Sequence, residues 1–214
     1  PVYALLLEIF LFRFKARVPS ARRFMVLAFV VIGLLGCVMA TLILPPSLDP
    51  AVWQHRNFDL PQRLLTETRV LWTYLRWIVV PDLGSMSLYQ DHYPVSRGLF
   101  SPPSTAAAIA AWVAVVALVL RLSRRPSLLG LGISWYLTAH LLTATVIPLE
   151  LVFEHRNYTA AIGVLIAALA LVLRCSQHNA ARRWIVPVVV LLLVAQLAIT
   201  TARIGHNHIQ RLAN

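Results

Sequence analysis

The stretch FMVLAFVVIGLLGCVMATLIL, residues 24–44, holds 21 residues and no charged side chain. An α-helix needs about 20 mainly apolar residues to cross the hydrocarbon core of a bilayer. Four further apolar runs follow, at residues 105–120, 128–149, 158–173 and 184–200. The sequence therefore predicts an all-α, polytopic α-helical membrane protein with about five complete transmembrane helices.

Composition and charge support this prediction. Hydrophobic residues make up 59% of the chain and the mean hydropathy is +0.73, whereas soluble domains have roughly 45–50% apolar residues. The net charge of +11 comes from short basic clusters between the apolar runs. Such clusters orient membrane proteins, and no basic face typical of nucleic-acid binding accompanies them. A soluble fold and nucleic-acid binding are thus disfavoured.

The chain opens inside a shorter apolar run, residues 1–12. This run is too short to cross a bilayer, and it lacks the basic leader and small-residue cleavage site of a signal peptide. We therefore expect a truncated first helix and a chain that is a fragment. Residues 1–201 are interpreted as a transmembrane domain, and residues 202–214 as the start of an extracytoplasmic tail.

The basic residues predict the orientation. Three connectors, residues 13–23, 121–125 and 174–183, contain eleven of the 19 Lys and Arg residues. The positive-inside rule places these connectors in the cytoplasm. Seven of the eight acidic residues lie in the opposite connectors. Residues 45–104 and the turn after residue 149 are therefore expected on the extracytoplasmic side.

This orientation requires residues 61–80 to stay on the outer side. Apolar side chains there recur on one helical face (Leu64, Leu71, Leu75 and Ile78). The pattern predicts an amphipathic helix lying in the outer interface. The alternative is a tilted spanning helix, which would place Arg69 and Arg76 in lipid at considerable cost.

Two outer segments carry the candidate functional residues. The turn PLELVFEHRNY, residues 148–158, and the proline-shaped loop before residue 104 are both rich in ionisable groups. Charged groups at membrane depth usually mark substrate or ion sites. We therefore interpret the two segments together as one substrate-binding site. Its candidate residues are Asp91, His92, Arg97, Glu150, Glu154, His155 and Arg156.

Their chemistry favours a phosphate ligand. Guanidinium groups such as those of Arg97 and Arg156 bind phosphate in bidentate fashion. His92 and His155 could donate hydrogen bonds to it or carry a proton. Two alternatives stay open: an ordinary solvated loop, and glutamates that only pair with the arginines. No cofactor or metal motif is recognisable, and a hydrogen bond to a neighbouring helix would explain His140 within its apolar run.

Three stretches carry a resemblance: VLWTYLRW at 70–77, YPVSR at 93–97 with Pro102 and Pro103, and the turn at 148–158. Over about residues 70–158 the chain resembles bacterial multi-pass membrane proteins with C-terminal tetratricopeptide repeats. These are similar to the transmembrane-and-tetratricopeptide-repeat O-mannosyltransferases, which belong with the GT-C glycosyltransferases.

The resemblance implies a function. Such proteins transfer sugar from a polyprenyl-phosphate donor to a protein or glycan acceptor, here on the outer face of a bacterial plasma membrane. It implies that Arg156 holds the donor phosphate, and that His155 and Arg97 are the next candidates for this role. The catalytic carboxylates of the family lie in a first outer loop, upstream of Pro1, so they stay unknown and this fragment alone is expected to be inactive. A flippase or transporter of lipid-linked sugar and a non-catalytic anchor for a repeat domain are the alternatives.

Overall fold

A computed structural model describes residues 1–16, 18–54, 56–80, 93–141 and 143–176, with only the backbone at residue 154. Within these ranges all regular elements are helices, which confirms the all-α class. The α-helices are α1 (Val2–Leu7), α2 (Pro19–Leu48), α3 (Leu60–Val79), α4 (Ser104–Leu122), α5 (Leu128–His140) and α6 (Asn157–Ser176). A π-helical turn, Glu8–Phe12, extends α1, and short 3-10 helices cover Pro50–Trp53 and Glu154–Arg156.

Three helices, α2, α4 and α6, are long and apolar enough to cross a membrane. The predicted count of five complete spans is not confirmed. The run at 128–149 is not one helix, because α5 ends at His140, and the run at 184–200 lies outside the described residues. The predicted tail at 202–214 lies outside them as well.

The basic connectors meet at one end of the helices, which we call the basic end. The Arg13 guanidinium donates hydrogen bonds to the carbonyls of Ser123 and Arg124, where a cation suits the C-terminus of α4. The Ser127 amide donates to the Phe10 carbonyl at 2.9 Å. Arg174, at the end of α6, lines a groove with residues of the second connector. The described basic residues of the three connectors therefore lie at the same end of the helices.

The opposite end, the α3 end, is built around α3. This helix starts with a capping box, in which the Asp59 carboxylate accepts from the Gln62 amide at 2.8 Å and the Gln62 side chain accepts from the Asp59 amide. Trp72 of α3 stacks on Trp112 of α4 at 4.4 Å between ring centroids. The helix predicted at 61–80 is confirmed, and it is not among the three that could span a membrane.

The face of α3 that the sequence assigns to the membrane interface is not the face that packs inside the protein. Leu64 is 39% exposed and the other three predicted apolar-face residues are only partly buried. The buried stripe instead consists of Arg63, Thr66, Glu67, Val70, Tyr74 and Trp77. Arg63 lies in this stripe because α3 packs on the irregular segment 143–153, whose backbone carbonyls accept its hydrogen bonds, while Leu151 and Val152 of the same segment pack against apolar residues of α3.

Helices α5 and α6 make the closest helix contact of the described chain. A Cβ atom on Gly132 would lie 2.6 Å from the Gly163 carbonyl oxygen, and one on Gly163 would lie 2.6 Å from the Gly132 oxygen. Small residues allow membrane helices to approach in this way. This pair therefore sets the distance between α5 and α6.

A Gly163→Ala substitution should separate these helices. Overpacking typically costs about 1–3 kcal/mol, so we expect a lower unfolding temperature in detergent. Gly36→Ala in α2 is the matched control, because no atom lies within 4 Å of the position that its added methyl group would take. Equal unfolding temperatures for the two variants would contradict this account of the α5–α6 contact.

Candidate functional site

A buried arginine lies under α3. The Arg63 side chain is fully buried, and its guanidinium donates to the carbonyls of Thr145 at 3.0 Å, Thr143 at 2.8 Å and Leu149. Its Nη2 also lies 3.0 Å from Glu67 Oε1, one helical turn away. Arg63 therefore joins α3 to the segment that follows α5.

The Glu67 carboxylate is incompletely satisfied. Its side chain is 2% exposed, and neither oxygen has an aligned hydrogen-bond partner among the described residues, so the contact with Arg63 is purely ionic. Burial raises the pKa of Glu67 to about 7, against the opposing effect of the Arg63 and Arg156 charges. Glu67 is thus a buried acid that can exchange a proton near neutral pH.

Aromatic rings separate this acid from α5. The Tyr74 ring stacks on the His140 ring at 5.2 Å, and Tyr136 meets His140 edge-on at 4.9 Å. Tyr74 Oη accepts a 2.7 Å hydrogen bond from the Phe153 amide. Neither nitrogen of the buried His140 ring has a partner among the described residues. The predicted hydrogen bond from His140 to a neighbouring helix is therefore not found within the described part of the chain, where the ring packs against Tyr74 and Tyr136.

Arg156 completes the cluster. It lies at the end of the 3-10 helix Glu154–Arg156, and its Nη1 atom is buried with no partner in the described part of the chain. Its charge acts on both Arg63 and Glu67. It also lowers the pKa of Tyr74, which burial nevertheless raises to about 12. Arg156 is therefore a guanidinium with an unused donor beside buried ionisable groups.

The charges of this cluster do not balance. Arg63 and Arg156 contribute two positive charges, and Glu67 contributes at most one negative charge. A buried unpaired charge is costly, whereas an anion bound at Arg156 would use the free Nη1 donor. The arrangement of Arg63, Glu67, Tyr74, His140 and Arg156, which we call the α3 cluster, therefore suits a small anionic group such as a phosphate.

Of the predicted residues whose side chains the structure describes, Arg156 alone is found in the α3 cluster. His155 is exposed and packs against the rings of Phe153 and Tyr158 at 5.0 and 5.7 Å. Arg97 and Glu150 are exposed. Asp91, His92 and the side chain of Glu154 lie outside the described residues.

The two predicted segments do lie at the same end of the protein. Tyr93 and Val95 pack against a hydrophobic cluster that contains Leu151 and Val152 together with α3 residues. No side-chain hydrogen bond, ion pair or ring contact between described residues joins Arg97 or His155 to Arg156. The backbones therefore come together, while these two side chains point to solvent or to local neighbours.

Sequence reasoning missed Arg63, Glu67 and Tyr74. Opposite charges at positions i and i+4, as at Arg63 and Glu67, were a recognisable signal of an ion pair on one helix face. That pattern is ordinary on solvated helices, so it does not distinguish a buried pair from an exposed one. Burial required knowledge of the segment at 143–149.

The comparisons with known proteins do not relate this chain to a family. No protein-family model, curated protein or solved structure matches the chain. Within the described ranges, no group of three or more His, Cys, Asp or Glu residues could hold a metal ion. The candidate site therefore rests on its own geometry.

The raised pKa of Glu67 makes stability depend on pH. In the folded state the Glu67 carboxyl stays protonated up to about pH 7, whereas its ordinary pKa, which applies in the unfolded chain, is 4.5. The stabilisation from the protonated carboxyl is thus complete below pH 4.5 and is lost as the pH rises through about 7. A pKa shift of this size changes the free energy of unfolding by at most about 3 kcal/mol.

We expect Glu67→Gln to remove this contribution, so that between about pH 5 and pH 7 the unfolding temperature of the variant in detergent falls less, or rises more, than that of the unaltered chain. Glu150→Gln, which changes an exposed carboxylate, is the control and should keep the slope of the unaltered chain. A Glu67→Gln variant with an unchanged slope would show that Glu67 does not titrate in this range.

Proposed function

We propose that this chain is part of an integral membrane glycosyltransferase of the GT-C type. In this proposal, sugar passes from a polyprenyl-phosphate donor to an acceptor on the extracytoplasmic side of a bacterial plasma membrane. The observation that carries the proposal is the buried, unpartnered Nη1 of Arg156 beside Arg63 and Glu67. A phosphate is the natural partner of such a guanidinium.

The position of Arg156 supports a lipid-linked substrate. It lies in the connector between α5 and α6, at the end of the helices opposite the basic connectors. A polyprenyl-phosphate keeps its chain in the bilayer and its phosphate at the surface. A guanidinium at the mouth of the helices is at the right depth to meet that phosphate.

Glu67 and Arg63 give the site a carboxyl that can exchange a proton and a guanidinium that stays charged. A carboxyl whose pKa is about 7 can donate or accept a proton at physiological pH. Neither group takes a catalytic role in this proposal, because the resemblance places the catalytic carboxylates in an outer loop upstream of Pro1. Their contribution is to set the charge of the site around the phosphate.

A second candidate is a non-catalytic anchor for a tetratricopeptide-repeat domain. One observation favours it: Arg97, His155 and Glu150 are exposed and are not gathered around Arg156. Under the anchor hypothesis, the α3 cluster stabilises the fold and binds no substrate. A transporter of lipid-linked sugar has less support, since the described parts of α2, α4 and α6 carry charged residues only near their ends.

Arg156→Ala tests the proposal in the full-length protein. We expect sugar transfer from a polyprenyl-phosphate donor to fall by about 100-fold or more, the usual effect of removing one charge-stabilising donor. Arg156→Lys should retain part of the activity, because a lysine contacts phosphate with a single point charge. Arg174→Ala, at the basic end, is the control and should transfer sugar normally.

All three variants must insert and fold, which protease resistance of the purified proteins would verify. Full transfer by a folded Arg156→Ala protein would reject the phosphate role and favour the anchor.

The sidedness can be tested by thiol labelling in intact cells. In a background with Cys37 and Cys175 replaced by alanine, a His155→Cys thiol should react with an impermeant maleimide. A Pro126→Cys thiol at the basic end should react only after lysis. His155 and Pro126 are both exposed, so either thiol is accessible from its own side of the membrane. The reverse pattern would place the candidate site in the cytoplasm and rule out an extracytoplasmic transferase.

A further inference from the structure

An open groove lies between α3 and α4, on another face of α3 from the cluster. Its volume is about 470 Å³, within the range of small-molecule sites. Its polar side is lined by Arg69, Thr73 and Tyr93, and its apolar side by Ala107, Ala108 and Ala111. None of these residues belongs to the α3 cluster.

The apolar side is a wall of a membrane helix. The three alanines lie on α4, which is long and apolar enough to cross a bilayer. Because alanine side chains are short, they leave space along the helix that a longer apolar chain could fill. Trp72 and Trp112 stack beside them and hold α3 against α4, so the groove has a fixed width.

The polar side offers a positioned guanidinium. Arg69 Nη1 donates to the Pro94 carbonyl at 2.8 Å and lies 3.2 Å from Ser96 Oγ. The Arg69 Cζ atom lies 5.3 Å from the centre of the Tyr93 ring. Its Nε and Nη2 atoms have no hydrogen-bond partner among the described residues, so donors remain for an anion. The N-terminus of α4 adds partial positive charge at the same place.

We propose that this groove binds an anionic phospholipid of the surrounding bilayer. The phosphate contacts Arg69, and one acyl chain lies along Ala107 and Ala111. Two features favour a lipid over a free phosphate: the alanine wall is apolar, and it belongs to a spanning helix. The charge of Arg69 favours an anionic headgroup over a zwitterionic one. This site is separate from Arg156 and does not depend on sugar transfer.

Native mass spectrometry of the detergent-purified chain tests the proposal. The chain is mixed with equal amounts of phosphatidylglycerol and phosphatidylcholine, and the retained lipids are counted. We expect preferential retention of one phosphatidylglycerol. Arg69→Gln should lower this retention by roughly tenfold, the effect of one charge-assisted hydrogen bond. Ala111→Phe should lower it similarly by filling the groove, without touching Arg69.

Two controls accompany these variants. Ala117→Phe adds the same bulk to α4 at an exposed position outside the groove, and Arg174→Ala removes an exposed guanidinium at the basic end; both should retain phosphatidylglycerol normally. Unchanged retention in either groove variant, or equal retention of the two lipids by the unaltered chain, would overturn the proposal. So would displacement of the lipid by excess glycerol phosphate, which would indicate a site for free phosphate.

Discussion

The structure depends on the buried guanidinium of Arg63. A stretch of non-helical backbone follows α5, and its carbonyl groups need hydrogen-bond donors wherever water is scarce. Arg63 supplies them for Thr143, Thr145 and Leu149, which lie 80 or more residues away along the chain. Glu67 balances its charge at 3.0 Å. Breaking such a buried pair typically costs about 3–5 kcal/mol, so α3 and the segment after α5 stabilise each other.

The position of Arg156 follows from this attachment. Once residues 143–149 are held against α3, the chain continues under the helix, where the Phe153 amide donates to Tyr74 Oη. Arg56 also donates to the carbonyls of Pro148 and Leu149. Arg156 then enters the cluster with one donor unused. The same contacts that hold the irregular segment therefore create the excess positive charge on which the proposed phosphate site rests.

Much of the architecture could be predicted from local patterns. The apolar runs at 24–44, 105–120 and 158–173 correspond to α2, α4 and α6, because length and hydropathy are properties of the segment itself. The helix at 61–80 was also recognisable from its periodicity. The buried face of this helix was not recognisable. Hydropathy assumes that polar side chains face water, whereas Arg63 faces backbone carbonyls and Glu67 faces Arg63. The same limitation made α5 look longer than it is, because residues 143–149 are mostly apolar but not helical.

The amino-acid sequence by itself determined the membrane character of this protein, the positions of three long apolar helices and the separation of basic from acidic connectors. These follow from composition within each segment and from the energetic cost of charge in lipid. Tertiary structure alone decided that Arg63 and Glu67 are buried, that the His140 ring stacks on the Tyr74 ring, and that Arg69 borders a groove on α4. Each of these depends on a partner distant in sequence, and burial of a polar group is favourable only when that partner is in place.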